Sequence, residues 1–205
     1  MAHYSPSLNV CFVHVPKTAG VSITKGLTQG IPDLVQVQKI RDRNKLPSNG
    51  WSDNHYTVPQ IIETFDHLGI ERKGMTYFGV IRNPWHRMVS LFKHRLRKQK
   101  YNTPEDSKLL AEGFKPWLLG TQHRADKILT VKPQLEWFDN APIKSVVMFE
   151  QLSDDWISTV VDKSVTLGRH NTGSGQTDYM SYYDKQTYDF VARNFAKDIE
   201  WGGYT

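Results

Sequence analysis

Residues 9–27 read NVCFVHVPKTAGVSITKGL, and this stretch decides the fold class. Its first part, residues 9–15, is a run of β-forming residues that predicts a buried strand. Pro16 ends that strand, and residues 21–27 predict the beginning of a helix. A strand that passes through a tight turn into a helix is typical of α/β folds.

The same alternation continues along the chain. Further strands are predicted over residues 34–38, 75–81 and 144–149, and further helices over residues 61–68, from 83–84 onward, 154–161 and 184–198. The polar stretches 39–60 and 171–178 predict irregular connections. We therefore expect an α/β fold with a central, mainly parallel sheet flanked by helices, in a single domain that spans residues 1–205.

Composition excludes several classes of protein. A chain of 205 residues with 39% hydrophobic residues can bury a core without disulfides or metals. Its single cysteine, Cys11, cannot form an internal disulfide, and no pairing of Cys and His residues suits a structural zinc ion. No apolar run is long enough to span a membrane, and residues 1–10 lack the pattern of a signal peptide. We expect a soluble, cytoplasmic protein that holds no metal.

Positive charge is concentrated in one part of the chain. The sequence carries 26 basic and 21 acidic residues, yet no carboxylate occurs between Glu71 and Glu105. Nine basic residues lie in that interval: Arg72, Lys73, Arg82, Arg87, Lys93, Arg95, Arg97, Lys98 and Lys100. This local excess indicates an anionic partner, such as a phosphorylated cofactor, an acidic glycan or a nucleic acid. The alternative is a solvated helix face.

The turn after the first strand has the composition of a phosphate-binding site. Backbone N–H groups at a helix N-terminus point toward an anion, and Lys17 can add a point charge. However, Lys17 precedes Gly20, whereas the lysine of the nucleotide-binding motif GxxxxGK[ST] follows the glycine. This departure indicates that a related anion takes the place of a γ-phosphate on magnesium. The alternative is an ordinary turn with a surface lysine.

A second candidate site lies in residues 78–92, FGVIRNPWHRMVSLF. Arg82 follows a predicted strand, where ligands bind in open α/β sheets, and Ser90 lies about two helical turns later. The apolar residues of this predicted helix are spaced so that they lie on one of its faces. They are Trp85, Met88, Val89, Phe92 and Leu96. An arginine and a hydroxyl group could together hold a second phosphate. Alternatively, Arg82 binds a carbonyl and Ser90 is only a surface residue of the helix.

Together, HVPKTAGVS at 14–22 and VIRNPWHRMVS at 80–90 resemble the two cofactor-binding motifs of sulfotransferases, in particular the carbohydrate sulfotransferases related to heparan and dermatan 2-O-sulfotransferases. The resemblance extends to KPQLEWFDN at 132–140 and to the tyrosine-rich C-terminal stretch 182–204. It is weakest over 39–75 and 100–130. Asn83 stands where the family commonly has Asp, and Trp201-Gly202 replaces the usual aromatic residue.

The resemblance implies a P-loop-like sulfotransferase fold and the cofactor 3′-phosphoadenosine 5′-phosphosulfate, whose product is adenosine 3′,5′-bisphosphate, without a metal. The second motif would hold the 3′-phosphate through Arg82 and Ser90. Lys17 would stabilise the leaving phosphate as the sulfuryl group is transferred. The first motif would hold the 5′-phosphosulfate with Pro16, Lys17, Thr18, Ala19, Gly20, Val21 and Ser22.

The acceptor hydroxyl needs a general base, and histidine suits this role at neutral pH. We predict His55, because a histidine at a comparable distance before the second motif is the base in the 2-O-sulfotransferases. His14 and then Asp53 are the alternatives, and His55 could also be an ordinary loop residue. His170 and Asn171 match a region near the nucleotide in the family, but we assign them no contact.

The acceptor implied by the resemblance is a hydroxyl-bearing glycan, with a small metabolite as an alternative. The basic run 93–100 would form its groove, or else only a solvated face. We expect no nucleic-acid partner and no membrane span. We also expect the chain to be a bacterial or viral cytoplasmic enzyme, or else an excised catalytic domain. Two other functions stay open: a P-loop nucleotide kinase or NTPase, and a nucleic-acid-binding module that uses the 93–100 run.

Overall fold

The computed structural model describes residues 1–46, 55–98, 103–120, 132–161, 164–167 and 178–205. The chain divides into two compact units. The first, the sheet unit, comprises Met1–Ile81 and Gln134–Gly173, and the second, the helical unit, comprises Arg82–Pro133 and Ser174–Thr205. That residues 1–205 form a single domain stays a prediction.

A five-stranded sheet forms the centre of the sheet unit. Its strands are β1 (His3–Ser5), β2 (Val10–Phe12), β3 (Val35–Gln36), β4 (Thr76–Ile81) and β5 (Ile143–Met148). They lie in the order β3-β1-β2-β4-β5. β4 pairs in parallel with β2 and β5, whereas β1 is antiparallel to both β2 and β3. Four of these five strands therefore run in one direction, which confirms the predicted mainly parallel sheet.

Nine α-helices are found in the described part of the chain. They are α1 (Gly20–Gly30), α2 (Val37–Arg43), α3 (Val58–His67), α4 (Pro84–Arg97), α5 (Pro104–Glu112), α6 (Phe114–Leu119), α7 (Asp154–Val160), α8 (Lys185–Asn194) and α9 (Ala196–Gly202). None of them is both long enough and apolar enough to cross a membrane.

The core of the sheet unit lies between the sheet and α1. Ile23 and Leu27 of α1 are buried in one apolar cluster with Phe12 of β2 and Phe78 of β4. The two phenylalanines are opposite each other in the parallel pairing, with ring centroids 5.4 Å apart. Because β2 and β4 are parallel neighbours, both end at the same edge of the sheet.

The helical unit is organised around α4. The predicted apolar face of α4 is confirmed over its first turns, where Trp85, Met88, Val89 and Phe92 are buried, whereas Leu96 near its end is half-buried. The Trp85 ring stacks on Tyr188 of α8 with centroids 4.6 Å apart. The Trp85 indole N–H also donates a hydrogen bond of 3.3 Å to the Tyr188 carbonyl oxygen. The apolar side of α4 is therefore packed against α8.

The region 39–60 is not wholly irregular, as the sequence suggested. α2 extends to Arg43, and α3 already begins at Val58, with Pro59 in its first turn. Proline is accepted there because the N–H groups of the first turn have no partner within the helix. Residues 47–54 lie outside the described residues.

Other elements also differ from the prediction. The strand predicted over 9–15 is limited to β2, and α5 and α6 were not predicted. The strand predicted over 34–38 is limited to β3, because α2 begins at Val37. The helix predicted over 184–198 is interrupted at Phe195, whose φ of −118° is not helical. β1 was not predicted, since a strand of three residues shows no periodicity. The connection 171–178 is outside the described residues except at its last residue.

Candidate functional site

The turn between β2 and α1 has a backbone suited to anions. Lys17 and Ala19 both have left-handed conformations, with φ of 71° and 65°, and Thr18 between them does not. Alternating handedness turns successive N–H groups toward one side, as in the anion-binding nests of many phosphate sites. The side chains of Lys17 and Ala19 are half-buried, while Val21 is exposed. The turn can therefore offer backbone donors and one ammonium group to the same anion.

Two residues fix the shape of this turn from the inside. The buried Thr18 hydroxyl donates a hydrogen bond of 2.8 Å to the carbonyl of Val15. Gly20, the first residue of α1, lies against the imidazole of His14, so a Cβ atom at position 20 would be only 1.7 Å from His14 Nε2. Glycine is required here for the close approach of a ring, and Ser22 follows as a buried residue of the first helical turn.

We expect Gly20→Ala to lower the free energy of unfolding by about 1–3 kcal/mol, because the methyl group would displace the His14 ring. Equilibrium unfolding in urea measures this change. In a His14→Ala background the same substitution is expected to cost much less, since the ring that it meets is gone. An equal cost in both backgrounds would contradict the proposed contact.

His14 lies just beyond the end of β2 and touches several groups of the sheet unit. Its ring stacks on Phe12 at 5.7 Å between centroids and meets the His55 ring edge-on at 4.6 Å. Burial lowers the pKa of His14 well below its usual value, and the Met1 amine, His55 and Lys17 lower it further when they carry a proton. His14 is therefore neutral at physiological pH and a weak base.

His55 is held by the backbone of His14. Its Nδ1 donates a hydrogen bond of 3.0 Å to the His14 carbonyl oxygen, which can only accept. In the neutral ring the proton is thus on Nδ1, and Nε2 carries the lone pair. This is the tautomer that a histidine base needs, fixed in the way that carbonyl partners orient histidines elsewhere.

The residues that follow His55 anchor it at the beginning of α3. Tyr56 is buried, and its hydroxyl donates to Gln38 of α2. The backbone N–H of Thr57 donates to Gln60 Oε1 at 2.9 Å, as in a helix capping box. His55 is therefore positioned by two helices of the sheet unit.

The second motif builds a polar face on α4 in the helical unit. Arg82 Nη2 donates to His86 Nε2 at 2.7 Å. Asn83 caps α4, since its Oδ1 accepts from the backbone N–H of His86 at 3.1 Å. Asn and Asp are equally good caps, so Asn83 can begin the helix as well as an Asp would.

Ser90 and Lys93 continue this face. His86 and Ser90 are four residues apart, and Lys93 is three residues further, so all three lie on one side of α4. Burial, together with the charges of Arg82 and Lys93, lowers the pKa of His86 to about 4. We call Arg82, His86, Ser90 and Lys93 the cationic face, and it can attract an anion.

The other arginine of the motif has a structural role. Arg87 is fully buried, and its Cζ lies 5.7 Å from the centre of the Phe195 ring. Burial lowers its pKa to about 10, although the buried carboxylate of Asp198 acts in the opposite direction. Arg87 therefore ties α4 to the C-terminal helices and is not positioned to meet a ligand.

The structure thus places the predicted site residues in two groups. Those of the first motif and His55 lie in the sheet unit, whereas Arg82 and Ser90 lie in the helical unit. The candidates Asp53, His170, Asn171 and Lys100 are outside the described residues.

Sequence reasoning missed His86 as a partner of Arg82, although their spacing of four residues is the signal that could have revealed it. Within the described ranges, no group of three or more His, Cys, Asp or Glu residues is arranged to hold a metal ion.

Comparison with known proteins gives the family. Neither the search of curated proteins nor the search of solved structures returned a match to the chain. The model of the sulfotransferase family matches residues 2–159, which is 158 of the 205 residues. The matched range includes the β2–α1 turn, His55 and the cationic face of α4. The chain therefore belongs to the sulfotransferase family.

Proposed function

We propose that the protein transfers the sulfuryl group of 3′-phosphoadenosine 5′-phosphosulfate to an acceptor hydroxyl. The observation that carries this proposal is the backbone at Lys17 and Ala19, because left-handed residues on both sides of Thr18, just before α1, suit the binding of an anion. The family supports sulfuryl transfer, and the order β2, turn, α1 supports a P-loop-like arrangement.

The residues of the turn suit the 5′-phosphosulfate. Backbone N–H groups from Lys17 to Gly20 would bind its oxygens, and the ammonium group of Lys17 would compensate the charge that develops on the leaving phosphate. The bound cofactor supplies the activated sulfuryl group. Since the turn is held by Thr18 and by the contact of Gly20 with His14, its donors are in place before the reaction begins.

The cationic face suits the 3′-phosphate. Arg82 and Ser90 would bind it, with Lys93 as a further positive charge. Lys93 also lies over the Tyr182 ring, with Nζ 5.2 Å from the ring centre, which limits its freedom. The cationic face thus carries donors and positive charges of the kind that a 3′-phosphate would need.

His55 is the proposed general base. Its Nε2 would accept the proton of the acceptor hydroxyl as the oxygen attacks sulfur, and its Nδ1–H stays bound to the His14 carbonyl. His14 is less suited to this role, because its lowered pKa gives it little driving force for proton abstraction near neutral pH.

We propose a carbohydrate acceptor, with a small metabolite as the alternative. At the C-terminal end of α4, Arg95 is half-buried, while Arg97 and Lys98 are exposed, so this basic end could bind an acidic sugar. Labelled sulfate transfer to a panel of acidic glycans, neutral glycans and small hydroxyl compounds would identify the acceptor.

Thermal shift with three ligands tests the class of function. Adenosine 3′,5′-bisphosphate is expected to raise the midpoint of unfolding, since a ligand stabilises the folded state that binds it. ATP with magnesium is expected to have a smaller effect, and an oligonucleotide none. Stabilisation by ATP with magnesium alone would favour a kinase or NTPase instead.

We expect Arg82→Ala to weaken binding of adenosine 3′,5′-bisphosphate by about 1.5–3 kcal/mol, the usual contribution of a charge-assisted hydrogen bond. Calorimetric titration measures the loss. Lys108→Ala, which removes an exposed cation from α5 of the same unit, is the matched control and is expected to bind normally. Binding of adenosine 5′-phosphosulfate, which lacks the 3′-phosphate, should change far less. Equal losses for both nucleotides would show that Arg82 acts through the fold.

A further inference from the structure

The contact between Arg82 and His86 has a consequence for how the cationic face binds an anion. We propose that His86 is a positioning residue: it orients the Arg82 guanidinium toward the 3′-phosphate and adds no negative charge beside it. This inference rests on the proposed function, because it concerns the residue to which we assign the 3′-phosphate.

The geometry of the contact defines which group donates. A guanidinium has no acceptor, so Arg82 Nη2 donates the 2.7 Å hydrogen bond and His86 Nε2 accepts it. The imidazole is therefore neutral, with its proton on Nδ1. A guanidinium has five N–H donors in a rigid plane, and a bond to one of them fixes the direction of the others.

His86 is itself held in place on two sides. Its backbone N–H donates to Asn83 Oδ1, and its ring stacks almost parallel on Tyr179, with centroids 4.8 Å apart and planes 9° apart. The Asn83 amide also donates to the Tyr179 hydroxyl at 3.5 Å. The acceptor that Arg82 meets is therefore rigid, so less side-chain freedom is lost when Arg82 binds an anion.

The neutral state of His86 also affects the binding of an anion. A carboxylate at position 86 would also hold a guanidinium, but it would cancel much of the positive charge that attracts phosphate. The neighbouring Lys93 and Arg82 are both cations, and they oppose a third positive charge on His86. The neutral imidazole of His86 thus orients Arg82 without reducing the positive charge of the cationic face.

The test compares two nucleotides on four proteins. For the wild type, His86→Phe, His86→Gln and His86→Glu, calorimetry gives the dissociation constants of adenosine 3′,5′-bisphosphate and adenosine 5′-monophosphate. Their ratio isolates the contribution of the 3′-phosphate, and a variant that is merely less stable would not change it. The thermal midpoint of each variant confirms that it is folded.

Three results are expected. His86→Phe keeps an aromatic ring on Tyr179 but loses the acceptor, so the preference for the bisphosphate should fall by about 3- to 10-fold. His86→Gln keeps a neutral acceptor and should recover most of that preference. His86→Glu keeps an acceptor but adds a charge, and its preference should fall by about tenfold or more.

Two other results would contradict the inference. If His86→Glu prefers the bisphosphate as strongly as the wild type does, a neutral residue at position 86 is not needed for binding the 3′-phosphate. That result would overturn the inference and leave the proposed function standing. If the wild type shows no preference for the bisphosphate, the proposed function fails, and the inference fails with it.

Discussion

His55→Ala is expected to lower turnover by about 10²–10⁴-fold while the dissociation constant of adenosine 3′,5′-bisphosphate stays nearly unchanged. The reason is the fixed tautomer: the His14 carbonyl accepts from Nδ1, so Nε2 is the nitrogen that can take the hydroxyl proton. Steady-state transfer of labelled sulfate, together with calorimetric titration of the product nucleotide, separates the chemical step from binding.

The pH profile provides a second readout for His55. The wild-type rate should rise with pH as the imidazole loses its proton, and this acidic limb should be absent in His55→Ala. His14→Ala is the control, and we expect it to impair stability or cofactor binding more than the chemical step. Wild-type turnover in His55→Ala, with the acidic limb intact, would mean that another residue is the base.

Lys17→Ala is expected to lower turnover by about 10²–10³-fold, because the ammonium group compensates charge that grows in the transition state. The affinity for adenosine 3′,5′-bisphosphate should fall by a smaller factor. Alanine has a Cβ atom as lysine does, so the substitution leaves the cost of the left-handed backbone at position 17 unchanged. The loss of turnover then reports the loss of the ammonium group.

Lys25→Ala is the matched control for Lys17, since it removes an exposed lysine from α1 in the same unit. Its turnover and affinity should equal those of the wild type. Lys17→Arg should retain part of the activity, because it keeps the charge but not the compact ammonium group. A Lys17→Ala enzyme with normal turnover and only a raised cofactor KM would exclude Lys17 from the transfer step.

The strongly patterned elements of this fold could be predicted from sequence. β4 and the beginning of α4 agree with the prediction to within one residue, because each has a long apolar pattern with one periodicity. α2 was missed, since its seven residues contain four charged ones and few apolar ones. In α2, the buried Arg41 donates to the Thr64 hydroxyl of α3 at 2.6 Å, a tertiary contact that no local pattern shows.

The candidate site could be predicted only as a set of residue types. Lys17 and Gly20 are visible in the sequence, but the left-handed backbone at Lys17 and Ala19 is not, because neither residue favours it. The contact between His14 and His55 joins residues 41 positions apart, so only the folded chain reveals which histidine nitrogen carries the proton.

His14 supports two neighbours at once, since its ring fills the space beside Gly20 and its carbonyl holds His55. Positions 14 and 20 should consequently vary together during evolution. In homologous chains with this arrangement, a side chain larger than glycine at position 20 should occur only with a smaller residue at position 14. Position 55 is less constrained by that exchange, because a backbone carbonyl is present whatever residue occupies position 14.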